Sequence, residues 1–225
     1  MTLFKFQICR ADAVTTIIHQ AAASDAPIGS VLSIENRDFA DAQRRLLAHQ
    51  PPLSQRAQNN TLFSLGYAPR LQALPGLHNV RQHFLAFDDI ENSSDVGPEP
   101  HHVRSISLRV KQHLAARPNT TMLFHCVVGV SRSPGAAIIG VVQAEETLYG
   151  RRADPFAAVD TVLAHRPQAT PNMLMIEYAD ALFGYRGKLI DVVNHHPKIM
   201  ANYEARAAEK AALRAQRQAL RKPAA

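Results

Sequence analysis

Residues 120–140 read TTMLFHCVVGVSRSPGAAIIG, and this stretch constrains the chain more than any other. An apolar, strand-forming run leads into His125 and Cys126. The chain then turns through Val127, Val128, Gly129, Val130 and Ser131, and Arg132 closes the turn before a run of small and apolar residues. A buried strand that passes through a tight loop into a buried helix needs a sheet with helices laid against it. The amides of such a loop converge on one point, and the helix N-terminus adds unsatisfied donors and the positive end of its dipole, which together make an anion cradle. Pro134 suits the first residue of that helix, and Ser133 suits its cap.

Two side chains bring chemistry to this cradle. A cysteine beside a helix N-terminus, an arginine and an imidazolium at His125 is favoured as thiolate and can act as a nucleophile near neutral pH. Arg132 offers a planar fork of donors that matches two oxygens of one phosphate, a fit that a lysine ammonium does not provide.

The stretch resembles the phosphate-binding loop of the cysteine-dependent protein tyrosine phosphatases, whose pattern is His-Cys, five residues, Arg, then Ser or Thr. Across residues 80–190 the layout, with His165-Arg166-Pro167-Gln168-Ala169-Thr170-Pro171-Asn172, is also similar to compact bacterial and dual-specificity members. The resemblance implies an α/β fold like that of the phosphotyrosine protein phosphatases, two-step hydrolysis through a cysteinyl-phosphate, and neither metal nor other cofactor. It implies that Cys126 is the nucleophile and that Arg132 holds substrate together with the backbone of Val127, Val128, Gly129, Val130 and Ser131. Ser133 corresponds to the hydroxyl that helps the thiolate leave in the second step, and His125 to a residue that keeps Cys126 acidic. From the residues themselves, Ser133 is equally a helix cap, and His125 a local hydrogen-bonding group that shapes the loop. Arg166, Thr170 and Asn172 are expected near the site by the same resemblance, or else in a helix stop and turn.

A leaving oxygen needs a proton, and a carboxylic acid in a neighbouring loop can supply it and later activate water. The segment Leu85-Ala86-Phe87-Asp88-Asp89-Ile90-Glu91 ends a strand in two acids. The resemblance, through relatives with a Phe-Asp-Asp ending, selects Asp89 as donor; Asp88 and Asp95 stay open as alternatives.

Around this centre the sequence alternates strand and helix patterns. Strands are expected at 4–9, 30–34, 80–87 and 122–126, and helices at 11–22, 39–49, 100–116, 135–148, 155–165 and 173–183, with connecting structure at 53–76. This alternation predicts a central, mostly parallel sheet flanked by helices. A single catalytic domain is expected over 1–190, followed by a basic helical tail over 191–225. In 225 residues, 46% of them hydrophobic and 20% charged, there is enough apolar surface for a substantial core. Two cysteines do not make a disulfide framework, the N-terminus lacks the pattern of a signal peptide, and no apolar run reaches membrane-spanning length, so the expected setting is the cytoplasm. The pairs His101–His102 and His195–His196 lack the spacing of two ligands on one face of an element.

The net charge of +6 is concentrated near the C-terminus, where Arg206, Lys210, Arg214, Arg217 and Arg221 recur at helical spacing. That face would suit an acidic partner or an anionic surface, or simply face solvent as part of a terminal helix. The expected activity is hydrolysis of phosphate monoesters, protein phosphotyrosine foremost. The alternatives are a phosphoinositide or small-ester substrate, and a phosphoresidue-binding module with weak turnover. The loop carries no lysine, which weighs against a polyphosphorylated headgroup.

Overall fold

A computed structural model describes residues 3–37, 77, 79–92 and 96–221, with the side chains of 217–221 excepted. The helix expected at 39–49, the connection at 53–76 and Asp95 lie outside these residues. The elements are β1 (Phe6–Arg10), a 3-10 turn (Ala11–Ala13) leading into α1 (Val14–Ala21), β2 (Ile28–Glu35), β3 (Arg81–Ala86), α2 (Pro100–Ala116) and β4 (Thr121–Cys126). They continue with α3 (Arg132–Tyr149), α4 (Pro155–His165), α5 (Met173–Phe183), α6 (Lys188–His195) and α7 (Pro197–Arg221).

The four strands form one sheet in the order β1-β4-β2-β3, and every pairing is parallel. The central strands β2 and β4 are buried along their whole length, as near-continuous apolar runs covered on both faces should be, whereas β3 forms a partly exposed edge. Alternation along the strands divides the core in two. Phe6, Ile8, Leu32, Ile34, Met122, Phe124 and Cys126 face the large helical layer, and Cys9, Val31 and Leu123 face the other side, where α1 contributes Val14 and Ile18.

Helix α3 runs beneath the sheet and is buried almost all round through its first three turns, from Arg132 to Ala144. It begins three residues earlier than the expected 135. Ser131 occupies the cap position without a side-chain capping bond, so Ser133 lies inside the first turn and is not the cap. Pro134 sits third in the helix, where a missing N–H is still harmless, and the first helical bond runs from Gly135 N–H to the Ser131 carbonyl at 3.0 Å. Core packing continues beyond residue 190: Val193 of α6 and Ile199 of α7 belong to the main cluster. Among the described residues, no helix is long and apolar enough to cross a membrane.

Candidate active site

Because all strands are parallel, their carboxyl ends gather on one edge, and β4 delivers Cys126 there beside the ends of β1 and β2. Arg10 and Ile34 are its register partners. Two groups meet the Cys126 sulfur: the Gly129 N–H donates to it at 3.2 Å, and the Ser133 hydroxyl shares a hydrogen bond with it at 3.2 Å. Gly129 makes the turn possible. Its φ is +77°, and an added Cβ would fall 2.6 Å from the Cys9 carbonyl oxygen at the end of β1.

The loop carbonyls are held from outside. Arg166 donates from Nε to the Gly129 carbonyl at 2.9 Å and from Nη2 to the Val128 carbonyl at 3.4 Å. Thr170 gives both its N–H and its hydroxyl to the Val130 carbonyl, at 2.7 and 3.3 Å. Fixing these carbonyls outward restricts the peptide planes and so the direction of the loop's N–H groups. Arg166, Thr170 and Asn172 therefore do stand at the site, as supports of the loop and of its neighbouring acid.

Arg132 is 4% exposed, and its Nη1 is anchored on the Phe87 carbonyl at 2.6 Å. Its Nε is buried and has no hydrogen-bond partner among the described residues. An unpaired buried guanidinium donor is costly unless an acceptor reaches it, and an anion in the loop would be such an acceptor.

His125 departs from the expectation of an imidazolium. Burial pushes its ring down to about 3, so it is neutral at physiological pH and is not a cation beside the thiol. Its Nε2 meets the Ser33 hydroxyl at 2.7 Å, and Ser33 in turn accepts from Gln82 Nε2 at 3.0 Å. This polar string ties β4 to β2 and β3 and fixes the backbone just before Cys126. Cys9, the other cysteine, is also buried, and burial pushes its thiol up to about 12. It packs with the opposite side of the sheet from Cys126.

The two neighbouring acids diverge. Asp88 accepts from the Arg37 N–H at 2.9 Å, and its own N–H goes to the Val96 carbonyl, so it organises the loop beyond β3. Asp89 turns toward the loop after Cys126: its Oδ1 accepts from the Ser131 hydroxyl at 2.6 Å and from Asn172 Nδ2 at 3.0 Å. Asn172 also donates to the Ile90 carbonyl, and with its own Oδ1 caps α5 by accepting from Met175 N–H at 3.2 Å. Neither acid caps α2, whose N-terminus is closed by Glu99 and His102.

Residues without a sequence signal of their own complete the arrangement. Ser33 is a hydroxyl in the middle of a buried strand, legible only as a polar interruption. Arg206 belongs to the basic stripe near the C-terminus, yet Tyr203, Arg206 and Lys210 line a cleft of about 430 Å³ together with Asp89, Ile90, Glu91 and Ser131.

Strand end, loop, buried arginine and adjoining acid together surround the Cys126 sulfur with the shape and donors that a tetrahedral anion would need. In the course of its chain the protein is similar to solved dual-specificity phosphatase structures. One is human DUSP28, at 16% identity and a TM-score of 0.48, covering 80% of this chain and 94% of that one. Others are the Yvh1 phosphatase domain from Chaetomium thermophilum (17%, TM-score 0.42, 80% and 87% covered) and Tk-PTP in its active form (12%, 0.43, 79% and 88%). No protein-family model and no curated protein sequence matches the chain.

Proposed function

We propose that this protein is a cysteine-dependent phosphatase that hydrolyses phosphate monoesters, protein phosphotyrosine foremost, through a cysteinyl-phosphate. The observation that carries this reading is the loop itself. Cys126 Sγ is met at 3.2 Å by the Gly129 N–H and by the Ser133 hydroxyl, and the buried Arg132 is anchored at Nη1 while its Nε has no partner among the described residues.

In the first step the Cys126 thiolate attacks phosphorus, the P–O bond to the leaving group breaks, and Asp89 gives that oxygen its proton. Arg132 and the loop amides hold the equatorial oxygens as charge shifts. In the second step water attacks phosphorus, Asp89 takes its proton, and the P–S bond breaks with the Ser133 hydroxyl donating to the departing thiolate. The sum is ester plus water to alcohol plus phosphate, with the enzyme restored. Val128 is half-exposed beside the loop, and Ile90 and Tyr203 line the adjoining cleft, surfaces suited to an aryl leaving group.

A phosphoinositide or other substrate with a second anionic group is the second reading. It is favoured by Arg206 and Lys210, which bring to the cleft cations beyond the single Arg132 of the loop. Turnover of a panel of phosphotyrosine peptides, phosphoserine peptides and phosphoinositides distinguishes the two. Cys126→Ser should abolish all turnover while retaining binding of a vanadate-like anion. Turnover surviving in that variant would overturn the covalent mechanism.

A further inference from the structure

Helix α7 carries the basic stripe that reads, in sequence, as a solvated tail, but its first turns are docked. Ile199 is fully buried, Asn202 Nδ2 donates to the Pro167 and Ala169 carbonyls at 2.9 Å each, and the Tyr203 hydroxyl donates to the Pro171 carbonyl at 2.5 Å. These three contacts fix the helix against the 166–172 segment, whose other side supports the catalytic loop and Asp89.

We propose that Arg206 is a positioning residue for Asp89, which makes the C-terminal helix a working part of the active site; the inference rests on the phosphatase reading above. Asp89 Oδ1 already accepts two hydrogen bonds, from Ser131 and Asn172, so Oδ2 is left to carry the proton. Arg206 Nη2 lies 3.8 Å from that oxygen. The separation is too long for a hydrogen bond and short enough for charge to orient the carboxylate. The cation therefore steers Oδ2 without occupying the lone pair on which a proton must travel.

The other arm of the same guanidinium fixes the loop. Nη1 donates to Thr170 Oγ1 at 2.8 Å, and Thr170 holds the Val130 carbonyl. One planar guanidinium thus couples the acid, by charge, to the loop that presents the phosphate, by a hydrogen bond, and holds the two in a rigid frame. Both side chains of the ion pair are 30% exposed, so its contribution to stability is small and its value lies in geometry. A displacement of about 1 Å at a reacting group can cost 10²-fold in rate.

The test compares full-length Arg206→Gln and Arg206→Lys with the parent on aryl phosphates of graded leaving-group ability. Arg206→Gln should lower kcat about tenfold on poor leaving groups, part of the 10²–10⁴-fold that general acid catalysis supplies, with KM little changed and the loss shrinking for activated esters. Arg206→Lys should recover part of the rate. In an Asp89→Asn background Arg206→Gln should cost much less, because the group it positions is gone and only its bond to Thr170 is left to lose. Parent-like rates of Arg206→Gln on poor leaving groups, or an equal loss with and without Asp89, would overturn the proposal. If Asp89→Asn shows leaving-group dependence and Arg206→Gln does not, this inference alone fails. Turnover by Cys126→Ser would remove the phosphatase reading beneath it. Unfolding of Arg206→Gln at assay temperature, with Arg206→Lys folded and unimpaired, would count against positioning and for a structural role.

Discussion

Asp88 Oδ1 accepts from the Arg37 N–H, and Asp89 Oδ1 accepts from the Ser131 hydroxyl and Asn172 Nδ2. One residue of offset at the end of β3 thus separates a carboxylate that organises the next loop from one that faces the loop after Cys126. Asp89→Asn should lower kcat by roughly 10²-fold or more on substrates with poor leaving groups, and by much less on activated ones, since the amide cannot donate a proton to the leaving oxygen. Asp88→Asn is the control. It should lose any rate uniformly across leaving groups, and a leaving-group-dependent loss there would move the acid by one residue. Rates across a series of substituted aryl phosphates check both. At this scale the sequence exposes which residues carry chemistry but not the medium around them. The sequence leaves His125 either a local hydrogen-bonding group or an imidazolium, and burial on β4 pushes its ring down to about 3 and holds it neutral.

Among the elements, β4, the loop and α3 are legible because strand pattern, glycine, arginine and apolar helix follow one another without interruption. The start of α3 was harder to read, since Ser133-Pro134 has the form of a helix start, whereas the helix opens at Arg132 and Ser133 faces the thiol. Least legible was α7. Its Arg206 and Lys210 share a helical face with Arg214, and nothing in that spacing says that the first two line a cleft. The contacts that bring them there come from Ile199, Asn202 and Tyr203, which form no apolar stripe. The described side chains from Ala211 to Gln216 are exposed. A chain ending after Lys210 should therefore hydrolyse a small aryl phosphate at the parent rate. A chain ending after Met200 should lose at least about tenfold in activity and, at about 1 kcal/mol per lost hydrogen bond, several degrees in melting temperature. Equal activity of the two truncated chains would show that α7 contributes nothing to the site.

For the molecule as a whole, the all-parallel sheet places Arg10, Glu35, Ala86 and Cys126 at one edge and leaves helices to cover the faces, and covering both faces buries histidines as well as apolar groups. His102, His113 and His125 are all buried and all pushed down by burial, His102 to about 4 and His125 to about 3. Each is held neutral in the folded chain, while the unfolded chain takes up a proton near pH 6.5. Below that pH the unfolded state binds more protons, so stability falls as pH drops from about 6.5 toward the folded values, about 4 for His102 and about 3 for His125, and is unaffected by these groups above it. His125 alone should account for roughly 2–3 kcal/mol of lost stability between pH 7 and pH 4.5. Carboxylates titrating in the same interval act in parallel, so the contribution has to be isolated by difference. Urea unfolding of the parent and of His125→Gln at pH 7 and 4.5 does this. The variant should be less stable at pH 7, because the Ser33 contact is altered, yet lose less on acidification. Parallel losses in the two proteins would mean that His125 takes up its proton in the folded state, and that the neutral ring behind Cys126 is not what the buried sheet maintains.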